Sequence, residues 1–293
     1  MENKLEEGCC VVACERPLDA PYWDAQWKTN TIGWDLGMAS PPLVSFIDSL
    51  EDKNARILIP GCGSAYEAEY ILSQGFTDIT LIDISETASC MLKEKFSNNP
   101  QVKVVCDDFF ALEDSFDVII EQTFFCALPP RLRQRYVWKM HHLLSENGIL
   151  AGLLFNRSFE VSPPFGGNRE EYEELFFGAF DFLSLEIATN SVTPRANTEL
   201  FFKFRKCPIR VDLYSFDGIT CTGCKNTVTE IYSKIDGVKN VSMNSDFKEI
   251  LIVSEKEIDL SMLQELVSYD EEYKIEKLPQ SHEDTKKLNT IIT

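Results

Sequence analysis

Gly61 and Gly63 follow the β-branched run Arg56 to Ile59 and Pro60, and from Ser64 to Leu72 the apolar pattern turns helical. A strand that breaks into glycines and then starts a helix lets a ligand approach the main chain closely and turns unpaired N–H groups toward it. Asp83 stands 22 residues after Gly61, at the end of a second apolar run, Ile79 to Ile82. A carboxylate there can accept both ribose hydroxyls of a nucleoside. Asp108 and Phe109 close a third run, Val102 to Cys106, and Glu121-Gln122 a fourth, Phe116 to Ile120. Trp23, Trp27 and Trp34 fall within twelve residues, at spacings that place them near one face of a helix. They read either as a packing face or as an aromatic lid suited to a cationic ligand. Far downstream, Cys221 and Cys224 form a Cys-x-x-Cys pair at the start of a helical pattern, and Cys9, Cys10 and Cys14 cluster near the first residue. Such thiols could hold a soft ion. The downstream pair can also be read as a redox couple, and the upstream three as incidental.

The elements that must position these groups alternate. Helical patterns of 10 to 14 residues separate the apolar runs, including Ser85 to Phe96 and Leu132 to Leu144, and a fifth strand is expected at Gly148 to Phe155. That alternation predicts a parallel, doubly wound α/β sheet, whose ligands bind at the carboxyl ends of the strands. Asp83, Asp108, Phe109, Glu121 and Gln122 all fall at such ends. Phe180 to Ile187 and Thr198 to Phe204 are expected to add an antiparallel edge hairpin. Lys206-Cys207-Pro208 reads as a linker, after which the pattern starts afresh as βαββαβ in about 70 residues, the ferredoxin-like order. The expected division is a cysteine-containing tail at 1–20, a catalytic domain at 21–207, a small domain at 208–278 and a polar tail at 279–293.

Composition bounds the partners. The 293 residues carry a formal charge of −19, which argues against nucleic acid, because phosphate-backbone sites need clustered Lys and Arg. A small-molecule ligand is expected instead. The longest apolar run is too short to span a bilayer, and Met1 to Gly8 is acidic and polar with no secretory pattern, so a cytoplasmic protein without membrane contact is expected. Ten cysteines under reducing conditions point to metal binding or thiol chemistry rather than disulfides. Tyr66 occupies the third glycine position of a dinucleotide fingerprint, which disfavours NAD or FAD and favours a mononucleoside.

Ile59-Pro60-Gly61-Cys62-Gly63, Leu81-Ile82-Asp83-Ile84-Ser85 and Thr123-Phe124-Phe125-Cys126-Ala127, in that order, resemble the thiopurine S-methyltransferase family of S-adenosylmethionine-dependent enzymes. Trp34-Asp35-Leu36-Gly37 and the Phe-Phe-Cys-Ala run are most similar to its halide and thiol methyltransferase branch. The resemblance covers Tyr22 to Arg205 and implies a seven-stranded sheet with an antiparallel last strand. It implies that Trp23, Trp27 and Trp34 close over the cofactor and that Gly61 and Gly63 cradle its methionine moiety. Asp83 would hold the ribose, Asp108 and Phe109 would flank the adenine, and Gln122 would line the methyl-transfer end. Some halide-type relatives carry an aromatic hydroxyl where Gln122 stands and a tyrosine where Phe155 stands, departures that count against halide as the acceptor.

Asp217 to Cys224 resembles the metal loop of heavy-metal-associated domains, with Ile219 where those modules usually have methionine. It implies Cys221 and Cys224 as thiolate ligands for a soft ion such as Cu(I). The combined expectation is a methyltransferase acting on a small soft nucleophile (thiol, hydrosulfide, metalloid, selenium species or halide), fused to a soft-metal module. The alternative is a metal sensor or chaperone whose catalytic fold binds cofactor without turnover.

Overall fold

The structure is a computed structural model and describes residues 17–278. Cys9, Cys10, Cys14 and the stretch after Leu278 lie outside the described residues. The chain opens with α1 (Ala20–Lys28) and α2 (Pro41–Asp48), and then alternates: β1 (Arg56–Pro60), α3 (Tyr66–Ser73), β2 (Asp78–Asp83), α4 (Glu86–Lys95), β3 (Val102–Cys106), β4 (Phe116–Gln122), α5 (Arg133–Leu143), β5 (Leu144–Phe155), α6 (Arg169–Phe176), β6 (Phe180–Ile187) and β7 (Glu199–Lys206). These strands form one sheet in the order β3-β2-β1-β4-β5-β7-β6. β1 to β5 pair in parallel, whereas β7 runs antiparallel to both β5 and β6. The expected antiparallel hairpin stands at this edge of the sheet, with β7 beside β5 and β6 as the rim. Alternation along β7 explains why, since Leu200, Phe202 and Phe204 are fully buried against one face and a strand so apolar belongs inside a sheet.

Helices cover both faces and make two cores. One gathers Leu43, Ile57, Ile71 and Leu81 under α2 and α3; the other gathers Leu58, Ile119, Tyr136 and Phe176 under α5 and α6. Neighbours along β1, Ile57 and Leu58, enter opposite cores, as a period of two requires.

The remaining elements are β8 (Arg210–Asp217), α7 (Thr222–Ser233), β9 (Val238–Met243), β10 (Glu249–Ser254), α8 (Leu260–Leu266) and β11 (Lys274–Lys277). They form a separate antiparallel sheet, β11-β8-β10-β9. One face packs under α7 and α8 through Tyr214, Phe216, Ile250 and Ile252. The opposite face does not meet solvent. Val211, Leu213, Leu251 and Val253 join the core of the first sheet, packed on α5. The segment expected as a linker is tied down as well: Cys207 N donates to Ala179 O at 3.1 Å, and Cys207 O is 3.1 Å from Nε2 of buried His141. Burial drops the His141 pKa to about 3, so this imidazole is neutral.

Candidate active site

The turn after β1 is built from left-handed backbone. Gly61 has φ +55° and Gly63 +50°. A Cβ on Gly61 would overlap the Phe124 ring, so only glycine lets β1 and the segment after β4 approach this closely. Asp83 ends β2 with its carboxylate facing the turn. One oxygen accepts from Gly63 N at 3.1 Å and the other from Ser85 N at 2.9 Å. Asp83 is 9 % exposed, and burial raises its pKa while the amides oppose the shift. Its carboxylate is thus held at the mouth of the glycine turn, and a ribose would have to be received beside these amides.

The three tryptophans meet, although not on one helix. Trp23 and Trp27 lie on α1; Thr29 caps it, and Asn30 at φ +55° turns the chain so that Trp34 returns from the following loop. The indole of Trp34 sits edge-on to Trp23 at 5.5 Å and to Trp27 at 6.1 Å. Asp24 ties α1 to the start of α4 by accepting from Ser85 Oγ at 2.9 Å and Thr87 N at 2.8 Å. Its bond with Lys28, followed by the Thr87 amide, holds its pKa well below the usual carboxylate range. Ser64 Oγ donates to Asp35, which fastens the Trp34 loop to the glycine turn.

Beyond β4 the chain makes a second tight turn. Thr123 has φ +59°, a conformation β-branched residues rarely adopt. Buried Glu121 stabilises it: the carboxylate accepts from Phe124 N at 2.8 Å, Phe125 N at 3.0 Å and Tyr136 Oη at 2.8 Å. Burial nevertheless pushes the Glu121 pKa up to about 7. Gln122 lines the cavity beside Gly61, Gly63, Trp34 and Thr123, and its buried Oε1 has no partner among the described residues. A buried acceptor left without a protein partner is one that a bound ligand's donor can satisfy.

Asp108 and Phe109 stand at the end of β3, as expected, yet outside that cavity lining. Asp108 is exposed and accepts from Phe110 N at 2.9 Å. The Phe109 ring is 4 % exposed, wedged between Phe110 and Phe124, so the half-buried ring beside Asp108 is that of Phe110. Sequence reasoning missed Arg195. This buried guanidinium pairs with Glu199 at 3.2 Å and donates to Trp34 O at 2.8 Å, bracing the tryptophan loop across 161 residues of chain. No local pattern announces such a contact.

A profile of the family described as Thiopurine S-methyltransferase (TPMT) matches residues 18–205. The chain belongs to the thiopurine S-methyltransferase family. It is 32% identical over 193 residues to a probable thiol methyltransferase 2 of Arabidopsis thaliana, covering 63% of this chain and 84% of that one. It is 28% identical over 191 residues, with the same coverage, to thiocyanate methyltransferase 1 of that plant. Among solved structures, the 1,6-didemethyltoxoflavin-N1-methyltransferase of Burkholderia thailandensis shares the fold, with a TM-score of 0.52 at 18% identity over 64% of this chain and 86% of that one. The protein is accordingly an S-adenosylmethionine-dependent methyltransferase. Its residues fit that cofactor, since the glycine cradle and Gln122 line one cavity and Asp83, outside that lining, accepts from Gly63 N.

At the other end of the chain, Cys221 caps α7 and its Sγ accepts from Cys224 N at 3.2 Å. That pair of contacts, the Cys224 side chain first, lowers the Cys221 pKa. Cys224 lies beside Tyr273, whose pKa is pushed up to about 12 by burial and then by the thiol. Among the described residues no group of three His, Cys, Asp or Glu side chains could hold a metal ion.

Proposed function

We propose that the enzyme transfers a methyl group to a small sulfur nucleophile, a thiol, hydrosulfide or thiocyanate, within the wider class of soft acceptors that includes selenium species, metalloids and halide. The observation that carries this reading is the cavity at the strand ends, where Trp34, Gly61, Gly63, Gln122 and Thr123 converge. The names of the relatives support sulfur. When bound, S-adenosylmethionine supplies a methyl carbon activated by its sulfonium charge. Trp23, Trp27 and Trp34 shield that charge from water with their ring faces. Gly61 and Gly63 admit the methionine moiety to the main chain, Asp83 accepts from the ribose, Asp108 and Phe109 border the adenine, and Gln122 borders the reacting end. A soft anionic nucleophile needs alignment rather than proton removal, so the protein's task is orientation and exclusion of water. Glu121, saturated by two amides and Tyr136, is a positioning residue rather than a general base.

The methyltransferase domain in this reading is 21–207, and 208–278 is a ferredoxin-like, heavy-metal-associated domain whose Cys221 and Cys224 bind a soft ion such as Cu(I). The flanks, 1–20 and 279–293, are tails. Purified protein given methyl donor and a panel of thiol, hydrosulfide, thiocyanate, iodide, arsenite and selenite is expected to turn over the sulfur acceptors fastest. Turnover of arsenite or iodide with none of the sulfur compounds would sink the sulfur reading.

A further inference from the structure

The cavity of the glycine turn is lined by charge of one sign. Gly61, Gly63 and Ala65 are all left-handed, Ala65 at φ +51°, and α3 starts directly after them. Tyr66 and Glu67 therefore line the same cavity as the two glycines. Asp35 and Glu67 are the charged residues of that lining, and no Lys, Arg or His stands among them. Asp35 is saturated: one oxygen accepts from Gly37 N at 2.6 Å and the other from Ser64 Oγ.

Glu67 is not. It is 5 % exposed, and one carboxylate oxygen accepts at 2.9 Å from the main-chain N of Ser40, the residue that caps α2. The second oxygen has no donor among the described residues, yet it is not sealed off as the free oxygens of Gln122 and Glu199 are. It keeps an opening, and the cavity is the space that Glu67 borders. Burial raises the Glu67 pKa, against main-chain amides, Ser40 first, and the charge of Arg195. A neutral amide side chain would serve Ser40 N as well and at a lower desolvation cost, so holding α2 does not account for an acid here. A buried carboxylate without an ion pair is stabilised by a cation brought to it.

We propose that Glu67 receives the α-ammonium of the cofactor's methionine moiety. The inference rests on the reading above that Gly61 and Gly63 cradle that moiety. The cofactor brings two cationic groups, a sulfonium and an ammonium, and only the ammonium has N–H groups to donate to a free carboxylate oxygen. The sulfonium is left to the tryptophan faces. Glu67 holds the amino-acid end in place and takes no part in the methyl transfer.

The test reads binding rather than turnover. Isothermal titration compares S-adenosylhomocysteine with its deaminated analogue, in which hydrogen replaces the amino group, in the native protein and in Glu67→Gln. Glutamine keeps an oxygen for Ser40 N, and the deaminated analogue reports whether the rest of the cavity is intact. The native protein should prefer S-adenosylhomocysteine, and the variant should lose ~10-fold of that preference, as removal of one charge-assisted pair implies, with the deaminated analogue bound as before. Equal weakening of both ligands would reduce Glu67 to a fastening of α2 and overturn the proposal. Equal affinity of the native protein for the two ligands would overturn it as well, whatever the variant does. Failure of the native protein to bind either one would overturn the placement of the cofactor itself.

Discussion

Glu121 is a buried carboxylate whose hydrogen bonds from Phe124 N, Phe125 N and Tyr136 Oη fix the Thr123 turn on which Gln122 and Phe124 depend. Burial raises its pKa to about 7 from an unfolded value of 4.5. Between those values the folded chain binds more protons than the unfolded one, so this residue's contribution to stability falls as pH rises from 4.5 to 7. Buried His141, depressed to about 3, acts in the opposite sense below its unfolded value, so the effect of Glu121 is isolated only by difference. Glu121→Gln keeps an acceptor for both amides and removes the titration. Denaturant melts should show its stability gaining on the native protein by at most about 3 kcal/mol between pH 4.5 and 7. A difference that does not change with pH would refute the account of Glu121. At this scale the sequence was partly readable. Asp83 could be found because strand ends and charge are local, and Gln122 likewise. Which of the adjacent Phe109 and Phe110 is buried and which half-buried was not readable, because the turn after Asp108 sets it. Arg195 was invisible, being defined by a carbonyl remote in sequence.

Elements were the most legible scale, since periods of two and 3.6 residues are written directly into apolar spacing. β3 and β6 fall at Val102–Cys106 and Phe180–Ile187 as expected, whereas β5 begins at Leu144 rather than at Gly148. Trp34 departs from the helical reading because Asn30 and the turn after it reverse the chain before the helical spacing can continue. The edge hairpin formed where it was expected, although nothing in either strand says that β7 rather than β6 pairs with β5. At α7, the N-cap position of Cys221 gives the soft-ion proposal its test. Titration with Cu(I) against a chromophoric chelator should show one ion bound by the native protein and none at this site in Cys221→Ser/Cys224→Ser, with methyl transfer retained. Equal Cu(I) uptake by both proteins would remove these cysteines as ligands.

At the scale of the molecule, β10 is the joint. All six of its residues are buried, with Ile250 and Ile252 under α7 and α8 and Leu251 and Val253 in the core beneath α5. The unbroken apolar run Ile250 to Val253 suits a strand covered on both faces, but nothing in it says that α5 provides the second cover. Arg135 pairs with Glu249, and Asn244 Nδ2 donates to Arg131 O at 2.9 Å across the same junction. The two sheets should therefore melt together. Leu251→Ala should cost ~2–5 kcal/mol and lower a single calorimetric transition; two separated transitions, with only the later sheet affected, would contradict a shared core. Because α5 also carries Tyr136, the bond to Glu121 links this junction to the catalytic turn. The central claim is that a cofactor methyl held at the ends of β1, β2 and β4 passes to sulfur, and one measurement tests it most directly. Enzyme mixed with methyl-labelled S-adenosylmethionine and hydrosulfide or a thiol should yield labelled methyl sulfide product and S-adenosylhomocysteine in equal amounts. Cofactor that binds, yet gives neither product with any sulfur acceptor, would contradict it.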